Sequence, residues 1–327
     1  MYSVEELQKI INAEIESRSI DLYENRPIEL YNPVGYALGM GGKRLRPVLL
    51  LLSYNMFSEE ILNALPAALA VEVFHNFTLL HDDIMDKADV RRNQSTVHKK
   101  FSENNAILSG DAMAFLSYKY LMESKSERLV DVANLFTATA IEVCEGQQYD
   151  MDFENRLDVT EAEYLEMIRL KTAVLLACSL KAGALLANVN DNVSTQLYRF
   201  GLNLGLAFQL QDDLLDTFGD QKKFGKKIGG DILANKKTFL LIKALEMAPN
   251  VHLNELNNWI NKNEFNSEEK ISAVTKIYYG IGIKELTENK IDFYFHKSSE
   301  IIKTLPVADS KKQQLNLISK KMLKRDN

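Results

Sequence analysis

Apolar residues return every three or four positions along most of this chain, the rhythm of helices that bury one face. No convincing run alternates as a strand would. Ser3 with Glu6 forms a capping box, and Val4, Leu7, Ile10, Ile11 and Ile15 give the helix behind it an apolar stripe. A short second helix is predicted over residues 28–38, ending in Gly39-Met40-Gly41-Gly42. Pro47 is placed to open a third, reaching about residue 57, and Pro66 to open a fourth that runs into Asp82. A polar connection over 87–96 leads to helices near 106–124 and 127–152. Thr160 with Glu163 makes another capping box, starting a helix predicted to continue to about residue 188. A further helix covers roughly 193–218, and shorter ones follow, punctuated by Pro249, Gly280, Gly282 and Pro306. The tail from Lys311 patterns as a basic amphipathic helix with a solvated face, and no linker or low-complexity segment interrupts the series. The expectation is an all-α fold: a single domain over residues 1–327, with about 12–14 helices around a deep central cavity.

Two places break this rhythm with acid. Leu79-Leu80-His81-Asp82-Asp83-Ile84-Met85-Asp86 sets three carboxylates within five positions after a long apolar run. On a helix Asp82 and Asp86 share a face, with Asp83 beside them. Such a cluster repels itself unless a cation binds it. Hard carboxylate oxygens suit magnesium, which keeps several waters and shares the phosphate oxygens of a substrate. The plainer alternative is a solvated acidic helix end. Phe208-Gln209-Leu210-Gln211-Asp212-Asp213-Leu214-Leu215-Asp216 repeats the spacing after another apolar run, and two copies favour the metal. The stretches between them do not match well enough to claim an internal duplication.

Composition then removes several classes. The chain has 327 residues, 46% of them hydrophobic, and a formal net charge of −6, so it carries no footprint for nonspecific nucleic-acid binding. Cys144 and Cys178 are too few for a disulfide framework, which makes a reducing cytoplasm the expected home. The opening Met1-Tyr2-Ser3-Val4-Glu5-Glu6 lacks the basic-then-apolar order of a signal peptide. The longest apolar stretch, around 173–187, is broken by Lys181 and Gly183, so no integral membrane segment is expected.

The positive charge is clustered. Gly41-Gly42-Lys43-Arg44-Leu45-Arg46-Pro47 places two or three cations on a turn before a helix N-terminus, where backbone N–H groups and guanidinium forks suit a diphosphate. Arg91-Arg92 follows the first acidic cluster, and Lys171-Thr172 interrupts an apolar helical stretch, where a charge needs a partner or water. Lys226-Lys227 and Lys236-Lys237 bracket Gly229-Gly230-Asp231. Singly each reads as a solvated lysine or arginine; jointly they describe acidic walls with cationic arms, suited to a polyanion held directly and through metal ions.

In this order and spacing, the two aspartate-rich motifs, GGKRLRP, Arg91-Arg92, Lys171-Thr172, Phe208-Gln209 and the GGDI…NKKT segment over 229–238 resemble the trans-isoprenyl diphosphate synthases. That family makes farnesyl, geranylgeranyl and longer polyprenyl diphosphates. The resemblance implies the isoprenoid synthase type I fold, a homodimer, and condensation of dimethylallyl, geranyl or farnesyl diphosphate with isopentenyl diphosphate. Asp82, Asp86 and Asp212 are implied as direct magnesium ligands. Asp83, Asp213 and Asp216 would act through bound water or orient those ligands, with about three ions bound alongside the allylic diphosphate. Arg91, Lys171, Lys227 and Lys236 correspond to the allylic diphosphate clamp, Lys226 competing with Lys227 for one place. Lys43, Arg46, His75 and Arg92 correspond to the isopentenyl diphosphate site; read alone, His75 on its apolar helix is a core residue. Phe208, Gln209, Thr172, Gln147 and Asp150 fit the lining around the reacting carbons.

The implied chemistry needs a dry cleft, because an allylic cation is quenched by water, and fixed dipoles such as the Thr172 hydroxyl and the Gln209 amide oxygen to stabilise it. The proton lost after condensation goes to the departed diphosphate, so no side-chain base is expected. Product length is expected to be set by Phe77 and Phe74, five and eight residues before Asp82 and so about 7.5 and 12 Å below it along a helix. Aromatics at such spacing ordinarily fill a core, but in the family a ring five positions before an uninserted DDxxD marks medium-chain synthases. Thr78, in place of a second aromatic, favours twenty carbons over fifteen. Two other readings remain: a class I terpene cyclase, which carries one DDxxD and needs no GGKRLRP, and a noncatalytic regulatory subunit of a prenyl synthase, which typically lacks one aspartate motif.

Overall fold

The computed structural model describes residues 1–219 and 228–323. Helices dominate it: α1 (Val4–Glu24), α2 (Ile28–Gly39), α3 (Leu45–Asn55), α4 (Leu65–Met85), α5 (Val97–Lys100), α6 (Glu103–Leu121), α7 (Leu129–Glu154) and α8 (Glu161–Ile168). After a π-helical turn (Arg169–Ala173) come α9 (Val174–Leu186), α10 (Asp191–Phe218), α11 (Gly230–Leu233), α12 (Phe239–Met247), α13 (Asn250–Asn261), α14 (Ser267–Gly280), α15 (Ile283–Thr304) and α16 (Asp309–Leu323). Both expected capping boxes form, Ser3 with Glu6 and Thr160 with Glu163. Pro47 sits in the first turn of α3 rather than at its start, since that helix begins at Leu45. Among the described residues no helix is long and apolar enough to cross a membrane.

The chain divides into two compact units. The first comprises residues 1–137, 178–197 and 306–315. Its centre is α4, buried all round from Ala67 to Phe74 and packed on α6, with α3 also against it. This burial traps Glu72, whose carboxylate takes Arg44 Nη1 at 2.7 Å. Arg44 also donates to Asn12 Oδ1 and the Leu38 carbonyl. That second cation of GGKRLRP is therefore a buried structural staple, held in the left-handed region at φ 50°.

The second unit comprises residues 138–177, 198–305 and 316–327. Tyr164 and Met167 of α8, Leu210 and Leu214 of α10, Phe239 of α12, Tyr278 of α14 and Ile291 of α15 share its core. Along α16, Leu315, Ile318 and Met322 are buried while Leu317 is exposed, so the tail is a helix with one buried and one solvated face.

Two local features depart from the sequence expectation. The polar connection after Asp86 contains a small hairpin, Val90–Arg91 pairing antiparallel with Gln94–Ser95. Arg92 and Asn93 at its tip have φ of 52° and 60°, the double left-handed geometry of a type I′ turn. The long helix predicted from Thr160 is broken by the π turn at 169–173. Two glycines allow the neighbouring helices to press on that turn. A Cβ on Gly146 of α7 would lie 2.2 Å from the Lys171 nitrogen, and one on Gly205 of α10 would lie 2.5 Å from the Ala173 Cα. Such π turns recur where a side chain is aimed for function.

Candidate active site

In the first unit the acidic motif straddles the end of α4: Asp82 and Asp83 lie in its last turn and Asp86 is the C-cap. A helix C-terminus is the negative pole of its dipole, where each carboxylate is disfavoured by about 0.3–1 kcal/mol. Three of them there call for cations. Asp83 is 3% exposed and meets Arg91, whose Nε and Nη2 each lie 2.8 Å from its oxygens. Arg91 Nη2 is also 3.5 Å from Asp82 Oδ2. Burial raises the Asp83 carboxyl, against the pull of Arg91. Burial likewise works against the Arg91 charge, but Asp83, Asp82 and Asp86 outweigh it. The hairpin supplies this arginine from one strand and Arg92 from the turn. Arg92 donates to the Gly41 carbonyl of the GGKR turn.

Arg46 and His75 are brought together, Nη1 to Nε2 at 3.0 Å. Burial, then Arg46, Arg92, Arg91 and Arg44, hold the imidazole well below its ordinary pKa. A guanidinium only donates, so the ring nitrogen facing Arg46 is the acceptor of a neutral histidine. Lys43 is exposed on the turn, and its carbonyl accepts from Gln8. Below Asp82 an aromatic chain descends: His81 to Phe77 at 4.8 Å, Phe77 to Phe74 at 5.4 Å and Phe74 to Phe136 of α7 at 5.2 Å between centroids. Phe74 is buried and Phe77 half-buried.

In the second unit the acidic motif occupies the last two turns of α10. Asp213 is 7% exposed; the Tyr164 hydroxyl donates to its Oδ2 at 2.5 Å and Gln209 Nε2 to its Oδ1 at 2.9 Å. Burial, aided by nearby Asp231, raises this carboxyl against the pull of its bonds from Tyr164 and Gln209. Asp216 accepts the Asp231 N–H on Oδ2 at 2.9 Å and the Gly229 N–H on its carbonyl at 2.6 Å, fixing the GGD turn to α10. Lys171, on the π turn, lies 2.6 Å from Asp150 Oδ2, and Lys236 lies 3.6 Å from the same oxygen. Burial alone would raise Asp150, but the two lysines hold it below the usual carboxylate range. Thr172 Oγ1 donates to Gln209 Oε1 at 3.0 Å. Asp150, Lys171, Thr172, Gln209, Asp213 and Lys236 line one cleft in this unit. Phe208 and Gln147 are half-buried on α10 and α7. Lys226 and Lys227 lie outside the described residues.

Asp82, Asp86, Asp212 and Asp216 keep some exposure, while both middle aspartates are buried. Among the described residues no three His, Cys, Asp or Glu side chains are drawn together closely enough to hold an ion by themselves. Sequence reasoning missed Tyr164, Asp231 and the Arg44–Glu72 pair. The helical stripe marks Tyr164 only as apolar, and nothing local in the sequence announces its hydroxyl's partner.

Helices that end in carboxylate clusters beside partly exposed cations suit phosphorylated ligands, and comparison with known proteins narrows the class. The polyprenyl synthetase family profile matches residues 27–278. A geranylgeranyl diphosphate synthase of Methanosarcina mazei is 44% identical over 223 residues, 68% of this chain and 69% of that protein. A geranylfarnesyl diphosphate synthase of Natronomonas pharaonis is 38% identical over 267 residues, 76% of this chain and 77% of that one. A crystal structure of a geranylgeranyl pyrophosphate synthase, 43% identical, superposes with a TM-score of 0.94 and covers 100% of both chains. The chain belongs to the polyprenyl synthetase family and is a trans-prenyltransferase with the isoprenoid synthase fold. That family uses isoprenyl diphosphate substrates and depends on magnesium.

Proposed function

We propose that this protein makes geranylgeranyl diphosphate, extending dimethylallyl, geranyl or farnesyl diphosphate with isopentenyl diphosphate. The observation that carries the reading is the repeated design of the two acidic helix ends, each with a compensated buried aspartate between more accessible ones. The exposed carboxylates are hard oxygen donors that fit magnesium. Asp82, Asp86 and Asp212 would hold about three ions together with the diphosphate, with Asp83, Asp213 and Asp216 orienting them. Bound there, magnesium would neutralise the diphosphate and ease its departure.

Lys171, Lys236 and Arg91, with Lys227 or Lys226, bind the allylic diphosphate oxygens. Lys43, Arg46, His75 and Arg92 hold isopentenyl diphosphate; the neutral ring of His75 orients Arg46 rather than adding charge. When the allylic C–O bond breaks, the oxygens of Thr172 and Gln209 stabilise the carbocation, and Phe208 helps keep water out. The isopentenyl double bond forms the new C–C bond, and the proton lost passes to the departed diphosphate. Residues 1–327 act as one polyprenyl synthase domain, since the family match runs through residues of both units. The two free thiols suit a cytoplasmic setting. A homodimer is supported by Leu108 and Phe115 on α6, seven residues apart and 59% and 77% exposed.

Product length rests on the Phe77–Phe74 stack as a floor and on the names of the relatives. Purified protein given labelled isopentenyl diphosphate, farnesyl diphosphate and magnesium should yield a twenty-carbon product after dephosphorylation and chromatography. Phe77→Ala should lengthen the product by at least one five-carbon unit, and adding Phe74→Ala should lengthen it again. Unchanged chain length in both variants would place the floor elsewhere; no incorporation by folded protein would sink the synthase reading.

A further inference from the structure

Tyr164 is 1% exposed, and a phenol so buried must give its proton to an acceptor. The acceptor is Asp213 Oδ2, 2.5 Å away. The other oxygen of the same carboxylate, Oδ1, lies 2.9 Å from Gln209 Nε2. The Thr172 hydroxyl donates to Gln209 Oε1 at 3.0 Å, so the amide oxygen faces Thr172 and its NH2 end faces Asp213. The series Tyr164–Asp213–Gln209–Thr172 thus joins α8, α10 and the π turn through three hydrogen bonds. Each end is held by buried packing: Tyr164 in the core of the second unit, and Thr172 on a turn pressed between Gly146 and Gly205.

We propose that Tyr164 is a positioning residue for the condensation: by holding Oδ2 of Asp213 it keeps Oδ1 turned to Gln209 and so fixes that amide, and an oxygen, not an N–H, is offered to the carbocation. This rests on the prenyltransferase reading above. An amide turned over presents hydrogens where positive charge develops, and repulsion there raises the barrier to ionisation without loosening the ground-state diphosphate. Without the phenol, Asp213 is free to rotate about its own bond and a buried oxygen seeks a new donor. Gln209 Nε2 then has no acceptor fixed in place, so the two orientations of its amide become competitive. Lys171, Lys236 and Asp150 are not part of the series, so substrate binding is spared.

Tyr164→Phe removes only the hydroxyl. It should lower kcat roughly ten- to hundredfold while both KM values stay within about twofold. In the Gln209→Met background the same substitution should cost almost nothing further. A second readout needs no substrate. In glutamine-labelled protein, the side-chain amide signal assigned by its loss in Gln209→Met should shift and exchange faster with solvent in Tyr164→Phe. Wild-type kcat in Tyr164→Phe, or equal losses with and without Gln209, overturns the proposal. A loss recovered by raising magnesium also overturns it, placing the phenol's effect at the ion site. A wild-type protein that extends no allylic substrate fails the prenyltransferase reading itself, and the amide spectrum then still decides whether Tyr164 orders Gln209.

Discussion

The same five-residue acidic motif closes α4 in the first unit and α10 in the second, yet the two copies compensate their buried middle aspartate by different means. Asp83 meets a guanidinium in a forked ion pair. Asp213 meets a phenol and an amide, both neutral. Burial raises both carboxyls, but the first is opposed by a guanidinium's charge, whereas the second has nearby Asp231 adding to the effect. Identical spacing in sequence therefore does not mean identical electrostatics. Partners contributed from other elements, a hairpin strand eight residues on in one unit and α8 in the other, make the difference.

The comparison breaks first if one acidic helix end proves dispensable. Asp82→Ala and Asp212→Ala should each lower turnover by about a hundredfold or more, with the melting temperature kept or raised, because thinning a carboxylate cluster at a helix C-terminus relieves repulsion. Near-normal turnover in either variant would mean that ion binding falls to one unit alone. A smaller effect, about tenfold in KM, should separate the cationic residues. Lys43→Ala and Arg92→Ala should raise KM for isopentenyl diphosphate, and Lys236→Ala that for the allylic substrate. Initial rates with each substrate varied in turn decide this, and parallel shifts in both would remove the assignment.

Removing charge without changing shape sharpens the contrast further. Asp83→Asn leaves the Arg91 guanidinium, whose side chain is 25% exposed, with one amide oxygen and the more distant Asp82 carboxylate, and should cost about 1–3 kcal/mol. Asp213→Asn can keep both hydrogen bonds, offering its oxygen to the Gln209 NH2 and its own NH2 to the phenol oxygen, and it also relieves the repulsion from Asp231. Its cost should stay below about 0.5 kcal/mol. Urea unfolding in the presence of a chelator measures both, and equal losses would erase the distinction drawn between the two motifs.

Much of this was legible from local pattern. Capping boxes declare helix starts because donor and acceptor lie three residues apart, and DDxxD and GGKRLRP declare chemistry because their charges would otherwise repel. The π turn was not legible: an extra residue per turn leaves the apolar content of residues 161–186 unchanged, and the glycines that make room for it, Gly146 and Gly205, sit on other helices. The hairpin escaped because two-residue strands have no alternation to detect, and Arg92-Asn93 is an uncommon choice for a tip with positive φ. Arg44 shows a third limit. In GGKRLRP it is one cation among three, and only its reach to Glu72 separates a structural arginine from a ligand-binding one.

The smallest effect probes the first unit without any substrate. His75 is half-buried and faces Arg46 of its neighbour helix α3, with Arg92 and Arg91 of the hairpin and Arg44 of the turn adding to the field. All of these disfavour imidazolium, so the folded ring titrates well below the value of about 6.5 that it has in the unfolded chain. Between those two values the unfolded chain carries a proton that the native protein refuses, and stability rises with pH. The contribution is therefore complete above about pH 6.5 and is lost as pH falls through the window beneath it, by at most about 1.4 kcal/mol per pH unit. His75→Gln cannot titrate and should lack this slope, while every carboxylate contributes equally to both proteins and cancels in their difference. Urea unfolding at pH 7.5 and 5.5 should thus show wild type losing more stability than the variant on acidification. A variant that loses as much would mean that the ring is already free to take a proton, and that the arginines do not press on it as their placement requires.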